Sequence, residues 1–235
     1  MHTFFSDEII SDHIHLGPEE SNHCSRVLRM QVGDEVWLVD GRGTFCKARL
    51  QHVHHKETTA AVYHREHEYG KRPFHLHLAV APTKSIDRFE WLLEKATECG
   101  FDEITPIICE QSERRIIKPQ RLEKVLQAAM KQSLRAYLPR LNPIIKYTEF
   151  IKQPLQEIAL IAHCADGEKQ NIATTFEAGK NVTALIGPEG DFSEQEIKLA
   201  LDKGCQAISI GHHRLRTETA ALAMCIQLNT VNGLL

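Results

Sequence analysis

The sequence lacks several features that would assign it to whole classes of protein. No apolar run approaches the roughly 18 residues needed to cross a bilayer, and the first residues have neither the basic start nor the apolar stretch of a signal peptide. The seven cysteines are an odd number and no two of them form a CxxC pair, which disfavours zinc knuckles and a disulfide framework. We therefore expect a cytoplasmic protein with free thiols.

The chain also lacks a basic excess and the common nucleotide-binding motifs. Its net charge is −3 at pH 7, so any RNA site must be a local patch of positive charge. Neither a Walker sequence nor the GxGxxG fingerprint occurs, which argues against nucleotide-binding α/β enzymes of those classes. The 14 histidines occur without an HExxH pattern, so we interpret them as solvated or strand-face side chains and expect no metal.

The pattern of apolar residues changes near residue 70. Residues 1–69 are predicted to form a small β-barrel with a short helix over 18–30, and the polar residues 64–73 are predicted to be a linker. The predicted strands of this region cover residues 34–40, 44–53 and 58–65. Residues 70–235 alternate between strands and helices, which favours a mainly parallel sheet covered by helices. The strands are predicted over 74–81, 103–109, 158–163, 182–186 and 207–210, and the helices over 85–99, 119–137, 193–204 and 217–232.

Two glycine-containing segments follow consecutive predicted strands of the second region. Gly187-Pro188-Glu189-Gly190 follows the strand over 182–186 and precedes a helix whose Ser193 and Glu196 fit a capping box. Gly211 follows the next strand, 24 residues further along the chain. Ligands bind beyond the carboxyl ends of strands in open α/β sheets. Either segment alone is also compatible with an ordinary turn, but the pair favours one shared pocket.

The second segment carries charged side chains into the start of the last helix. Arg214 and Arg216 precede Thr217-Glu218-Thr219, and a run of small residues over 220–223 favours close packing of this helix. The arginines are also compatible with solvated surface charges. Glu218 in the first turn is also a good partner for the helix dipole.

These motifs resemble a known family. Residues 185–190 (LIGPEG) followed by 215–220 (LRTETA) resemble the signature of the RsmE family, the ribosomal RNA small subunit methyltransferases E of the SPOUT superfamily. Residues 22–34 and 95–100 (KATECG) also resemble that family, so the match spans nearly the whole chain in order. The resemblance implies a PUA-like β-barrel that binds RNA, over 1–69. It also implies an α/β SPOUT methyltransferase domain with a C-terminal trefoil knot, over 70–235.

The same resemblance implies an activity. A homodimer of this family uses S-adenosylmethionine to methylate N3 of one uridine in 16S ribosomal RNA, with the 30S subunit as the expected context. Two alternatives stay open at this point. The same loops would serve a SPOUT enzyme that methylates another RNA nucleotide or a ribose, and a non-catalytic RNA-binding assembly protein is the other alternative.

The resemblance also implies site residues, on loops that begin near His163, at Gly187 and at Ile210. For catalysis we hypothesise that Arg216 orients the RNA or stabilises charge on the uracil oxygens, and that Glu218 orients Arg216 or accepts a proton. The implied cofactor-binding residues are His163, Leu185, Ile186, Gly187, Pro188, Gly190, Ile210, Gly211, Leu215, Thr217 and Ala220. The basic positions that could contact RNA phosphates are Arg26, Arg29, Lys84, Arg88, Arg114, Arg115, Lys131 and Arg135.

The chain departs from the family pattern at several positions. Asp191 stands where a second glycine is frequent, and residues 212–214 (HHR) replace a typical Pro-Arg-Ile stretch. Lys131 precedes Gln132 where an acid is common, and His2-Thr3 stands where arginine is frequent. These differences concern the RNA contacts more than the overall assignment.

Overall fold

The chain is described by a computed structural model that covers residues 2–7, 9–172 and 176–235. It contains two compact units. The first comprises Met1–Lys71 together with Gln127–Leu138, and the second comprises Arg72–Leu126 together with Pro139–Leu235. Within the described ranges, every helix is too short or too polar to span a bilayer.

The segment 127–138 belongs to the first unit although it lies far along the chain. Met130 and Ala136 are buried in one apolar cluster with Val39 and Phe45. The backbone N–H of Leu138 donates to the carbonyl of Gly41 at 3.0 Å. The structural units are therefore not continuous in sequence. The predicted division into an RNA-binding domain over 1–69 and a cofactor-binding domain over 70–235 stays a prediction.

The first unit is built on a five-stranded sheet in the order β1-β3-β4-β5-β2. Only the pair of β1 and β3 is parallel, and the other three pairs are antiparallel. Strands β3, β4 and β5 confirm the three predicted strands, whereas β1 and β2 are too short to give a clear pattern in the sequence. Because β5 extends to residue 66, the predicted linker begins too early. The strands are β1 (His2–Phe5), β2 (His13–Leu16), β3 (Glu35–Val39), β4 (Phe45–His52) and β5 (Thr58–Glu66).

The helix predicted over residues 18–30 is shorter and less regular than expected. Helix α1 (Pro18–Asn22) begins at its proline, and a π-helical turn over His23–Val27 continues it. The prediction was wrong at its last residues because Arg29 adopts a left-handed backbone conformation, with φ of 54°, which an α-helix does not tolerate. Cys24 in this turn is fully buried in the apolar core of the unit.

The second unit is an α/β structure built on an eight-stranded sheet, as the sequence predicts. Seven strands lie side by side in the order β11-β13-β10-β12-β6-β7-β8, and the eighth strand, β9, also pairs with β7. All pairs recorded in it are parallel. The predicted trefoil knot stays a prediction. The strands are β6 (Leu76–Val80), β7 (Glu103–Ile108), β8 (Arg140–Leu141), β9 (Ile145–Lys146), β10 (Ile158–Ala162), β11 (Gln170–Asn171), β12 (Val182–Ile186) and β13 (Gln206–Ser209).

The sequence patterns of the helices are largely confirmed. The predicted apolar face of α2 is buried, and Gly100 ends this helix with φ of 104°. The capping box at the start of α5 is present, with Ser193 and Glu196 bonding to each other's backbone N–H. Helix α3 was predicted to reach residue 137, but it ends at 132 because Leu134 has φ of 57°. The helices are α2 (Ile86–Cys99), α3 (Pro119–Gln132), α4 (Tyr147–Phe150), α5 (Glu194–Asp202) and α6 (Thr217–Val231).

The core of the second unit lies against the central strands. All five residues of β12 are buried, as expected for a strand between two other parallel strands and covered on both faces. Helix α6 packs on α2, where the thiol of Cys225 lies 3.4 Å from the carbonyl oxygen of Gly100. This close packing agrees with the small residues at the start of α6. It fixes the position of the helix that follows the loop over residues 210–216.

The cysteines and histidines make no cofactor cluster. All seven cysteines lie in the described ranges as thiols outside any disulfide, as expected, and five of them are buried. His54 and His55 lie side by side with ring centroids 4.1 Å apart in the first unit. In the part of the chain that the structure describes, no three His, Cys, Asp or Glu side chains are arranged to hold a metal ion.

Candidate functional site

Three loops meet at one edge of the parallel sheet of the second unit. Strands β13, β10 and β12 are neighbours, so the loops that follow them leave the sheet side by side at its carboxyl edge. Together they enclose a cavity of about 700 Å³. Its wall includes His163 after β10, Gly187 after β12 and Gly211 after β13. The expected shared pocket is therefore present, at the edge where open α/β sheets bind ligands.

Most of the predicted cofactor-binding residues lie on the wall of this cavity, and two do not. Leu185 is fully buried in the core cluster under the sheet edge. Gly190 faces the side chain of Gln111, whose Cβ would lie 3.0 Å from a Cβ added to this glycine. The predicted residues on the wall are His163, Ile186, Gly187, Pro188, Ile210, Gly211, Leu215, Thr217 and Ala220. The wall also contains residues that were not predicted as ligands, namely Ala162, Cys164, Lys169, Glu189, Asp191, Ile208, Ser209, His212, His213 and Arg214.

The loop over residues 187–191, here called the glycine loop, is anchored on several sides. A Cβ at Gly187 would lie 3.0 Å from the ring of Phe192 and 3.1 Å from its backbone nitrogen, so this close approach favours glycine. The hydroxyl of Thr217 donates to the Gly187 carbonyl at 3.1 Å. The carboxylate of Glu189 accepts the backbone N–H of Lys84 at 2.8 Å. These contacts fix the backbone where it borders the cavity.

Asp191 ends the glycine loop in an unusual backbone conformation. Its φ of 70° lies in the left-handed region, where residues with a side chain are uncommon. The carboxylate accepts the backbone N–H of Phe192 at 2.8 Å and that of Cys164 at 2.6 Å. Asp191 therefore ties the glycine loop to the loop after β10. Asp191 departs from the family pattern, but nothing in the sequence indicates its hydrogen bond to the loop after β10.

His163 contributes two buried nitrogen atoms to the cavity. Neither ring nitrogen meets the geometry of a hydrogen bond with any part of the chain that the structure describes. Burial lowers the pKa of His163 below its ordinary value of 6.5 and Lys169 lowers it further, whereas Asp191 and the backbone of Ala165 raise it. Burial therefore favours the neutral imidazole, which offers one N–H donor and one acceptor nitrogen to a ligand in the cavity.

The loop over residues 210–216, here called the arginine loop, is held more loosely. Residues 211–216 are all exposed, in contrast to the buried Thr217 and Glu218 that follow. The amide of Gln227 donates to the carbonyl of Ile210 at 2.8 Å. Arg216 occupies the N-cap position of α6 without a side-chain cap. Its side chain lines the cavity and is available to a substrate.

A second cavity of about 660 Å³ adjoins the first. It shares Arg214, Leu215 and Arg216 with the first cavity and adds Asp87, Arg88, Trp91, Glu218 and Thr219. The structure thus brings together Arg216 and Glu218, the two predicted catalytic residues, with Arg88, which was predicted as an RNA contact. Trp91 was not among the predicted site residues, although a tryptophan on the polar side of an amphipathic helix could have indicated a binding surface.

The other predicted RNA-contact residues are distributed over both units. In the second unit, Lys84 pairs with Glu113 at 2.8 Å. The guanidinium of Arg114 donates to the carbonyls of Thr83 and Lys84, and that of Arg115 donates to the carbonyls of Ser112 and Glu110. In the first unit, Arg26 and Arg29 are exposed and Lys131 pairs with Glu20, while Arg135 is half-buried. Their role toward RNA stays a prediction.

Comparison with known proteins identifies the family. Residues 70–229 match the model of the RNA methyltransferase domain, and residues 16–62 match that of the RNA methyltransferase PUA domain, which confirms the predicted PUA-like unit. The structure of a probable rRNA-methyltransferase from Porphyromonas gingivalis is 39% identical and superposes with a TM-score of 0.91 over 99% of both chains. The ribosomal RNA small subunit methyltransferase E from Neisseria gonorrhoeae, solved bound to S-adenosyl methionine, is 29% identical, with a TM-score of 0.90 over 98% of both chains.

A sequence relative agrees with these structures. The ribosomal RNA small subunit methyltransferase E of Mesomycoplasma hyopneumoniae is 34% identical over 161 residues, which cover 65% of this chain and 68% of that protein. The predicted SPOUT-type α/β fold with a PUA-like unit is thereby confirmed. The chain belongs to the RNA methyltransferase family, among the ribosomal RNA small subunit methyltransferases E.

Proposed function

We propose that this protein transfers a methyl group from S-adenosylmethionine to N3 of a uridine in 16S ribosomal RNA. The observation that carries the proposal is the meeting of three loops, after three adjacent parallel strands, around one cavity of about 700 Å³. That volume lies in the range of roughly 300–1,000 Å³ typical of small-molecule sites. The family to which the chain belongs supports the reaction type.

The residues around the cavity fit this cofactor. Ile186, Ile208 and Leu215 offer apolar surface to a flat purine ring, and the glycine loop offers backbone groups for its polar edge. The buried ring nitrogens of His163, which lack a well-formed hydrogen bond in the described structure, can bond to a polar ligand that enters the cavity. Asp191 contributes a negative charge to the wall, which favours a sulfonium cation.

The proposed chemistry assigns a role to the two predicted catalytic residues. When bound, S-adenosylmethionine supplies a methyl group activated by its sulfonium, and sulfur keeps the electron pair of the carbon–sulfur bond that breaks. The chain's part is to hold uracil N3 in line with that bond and to accept the proton that N3 loses. We assign orientation of the uracil oxygens to Arg216, and proton acceptance to Glu218, whose Oε2 is buried without a hydrogen-bond partner in the described structure.

We further propose that RNA binds through local basic positions of both units. The chain as a whole is slightly acidic, so a general attraction to RNA is not available. Phosphate contacts by the predicted residues would make affinity fall steeply with salt, because each contact releases a condensed counterion. We also propose a homodimer with the family's trefoil knot, acting in the cytoplasm on RNA within the 30S subunit.

The proposal is tested by methylation of 30S subunits and of naked 16S RNA with labelled cofactor, followed by mapping of the modified base. Label on N3 of a single uridine is the expected result. Label on a ribose or on another base would replace our assignment by a different RNA methyltransferase activity. If cofactor binds by calorimetry but no label is transferred to any RNA, the protein is a non-catalytic assembly factor instead.

A further inference from the structure

The second cavity contains a combination of side chains that the cofactor does not need. Arg88 and Trp91 lie three residues apart on one face of α2, next to the buried face that includes Phe89 and Leu92. Trp91 is 41% exposed, although its apolar ring would bury much surface in a core position. The cavity continues into the cofactor cavity through the shared arginine loop.

Glu218 provides an independent sign that this cavity takes a ligand. Its side chain is only 8% exposed, yet its Oε2 has no hydrogen-bond partner in the part of the molecule that is described. Its Oε1 lies 3.9 Å from Nε of Arg88, which is an ion pair and not a full hydrogen bond. A buried carboxylate oxygen without a donor is costly, and a ligand N–H in the cavity would satisfy it.

Among the polar side chains that line the cavity, Arg88, Glu218 and Arg216 form a set of two hydrogen-bond donors and one acceptor. Arg88 and Arg216 carry only donors, and the ionised carboxylate of Glu218 is only an acceptor. Uracil presents the complementary edge, with O4 and O2 as acceptors on either side of the N3–H donor. Cytosine presents an acceptor at N3, which would face the carboxylate unfavourably. The set therefore selects uracil by hydrogen bonding and not only by shape.

We propose that this cavity is the pocket of the acceptor base: Trp91 stacks on an extruded uracil, while Arg88, Glu218 and Arg216 read its Watson–Crick edge. Enzymes that modify a base take it out of its stack and hold it by stacking and edge contacts. Stacking on an aromatic ring contributes affinity for any base. Trp91 therefore supplies affinity, and the charged set supplies selectivity. The inference rests on the proposed methyl transfer to uridine, and it adds the place and the specificity of the substrate base.

The test uses the fact that the chain has two tryptophans, Trp37 and Trp91. In a Trp37→Phe variant, Trp91 is the only tryptophan of the chain. Trp37 belongs to the first unit and lines neither of the two cavities described above. Short RNAs that differ only in one central base, uridine, cytidine or 3-methyluridine, are titrated with and without S-adenosylhomocysteine. We expect the uridine RNA to quench the fluorescence with an affinity at least about tenfold above that of the other two.

Further variants separate stacking from edge recognition. Trp91→Ala should weaken binding of the uridine RNA about tenfold and raise KM more than it lowers kcat, while Trp91→Phe keeps most of the affinity. Glu218→Gln should reduce the preference for uridine over cytidine, because an amide can donate as well as accept. Cofactor affinity should stay within a few-fold in the two Trp91 variants.

Two results would overturn the inference. One is that uridine and cytidine RNAs quench the fluorescence equally, or that neither RNA quenches it, in a protein that methylates 16S RNA. That result would contradict the base pocket but leave the proposed function intact. The other is a Trp91→Ala variant that changes the sedimentation coefficient but not RNA binding, which makes the exposed ring a contact between copies of the chain. Selective quenching by uridine RNA without any methyl transfer would support the pocket while contradicting the proposed function.

Discussion

The glycine loop and the arginine loop border the same cavity but are held in opposite ways. The glycine loop follows a fully buried strand and is fixed by Phe192, Thr217 and Asp191. The arginine loop is exposed from residue 211 to 216. A segment with few buried contacts rearranges at low free-energy cost, whereas a packed one does not. The difference indicates that the first loop is preformed and that the second can rearrange. Under the proposed function, the first loop would serve the cofactor and the second the RNA.

The largest effect is expected in the arginine loop. Arg216→Ala should lower kcat for RNA methylation by about 100–1,000-fold, because a donor to the charge that develops on the base is lost. The dissociation constant for S-adenosylmethionine should stay within a few-fold. Steady-state kinetics with labelled cofactor, together with calorimetry, measure the two quantities. Unchanged turnover would remove this side chain from the mechanism, and Arg216→Lys tests whether charge alone suffices.

A matched pair of glycine substitutions compares the loops directly. Gly187→Ala should weaken cofactor binding by about tenfold or more, because the added methyl group must displace Phe192. It should also destabilise the fold by about 1–3 kcal/mol. At Gly211 an added Cβ has nothing within 4 Å, so Gly211→Ala should leave thermal stability unchanged. Equal losses in both variants, measured by calorimetry and denaturant unfolding, would contradict the distinction between a packed and an open loop.

Asp191 tests how far the glycine loop depends on its tie to the loop after β10. Asp191→Asn tolerates the left-handed backbone and keeps an acceptor but removes the charge, so we expect a several-fold loss of cofactor affinity. Asp191→Ala removes both acceptors and suits the conformation poorly, so its loss should be larger. Binding isotherms of the two variants provide the measurement. Equal losses in the two variants would show that the charge, and not the hydrogen bonds to Cys164 and Phe192, is what matters.

The smallest effect concerns pH. The pKa of His163 is depressed below its ordinary value of 6.5, mainly by burial, so the imidazole is neutral above pH 6.5. The folding stability that depends on the neutral ring is lost as the pH falls through the lower pKa of the folded state. Protonation there would add positive charge next to a cationic ligand. We expect affinity for S-adenosylmethionine to be constant above pH 6.5 and to fall only at more acidic pH, where His163 becomes protonated. His163→Gln should flatten the curve, and an unchanged fall in this variant would contradict the role of His163.

Much of the second unit could be predicted from the sequence because its signals are local. The apolar face of α2, the capping box at Ser193 and the strand before Gly187 each depend on a few neighbouring residues. The short strands β8, β9 and β11 carry too few residues to show a period. The end of α3 depends on the left-handed conformation of Leu134, which no residue type announces.

The site was predictable in outline and not in detail. Two glycine segments after consecutive strands indicated a shared pocket, and the residues of the family signature line most of it. The tie between Asp191 and Cys164 joins residues 27 positions apart, and the position of Trp91 beside Glu218 depends on how α2 packs against α6. Such contacts arise from tertiary packing, which a single sequence does not reveal.

The central claim is that the loops after β10, β12 and β13 form one site for S-adenosylmethionine. Hydrogen–deuterium exchange with and without this ligand tests it most directly. The account predicts slower amide exchange in all three loops at once, over residues 163–169, 187–191 and 210–217, with the largest change in the exposed arginine loop. Protection confined to one loop or located elsewhere in the molecule would contradict it, as would no protection at saturating ligand.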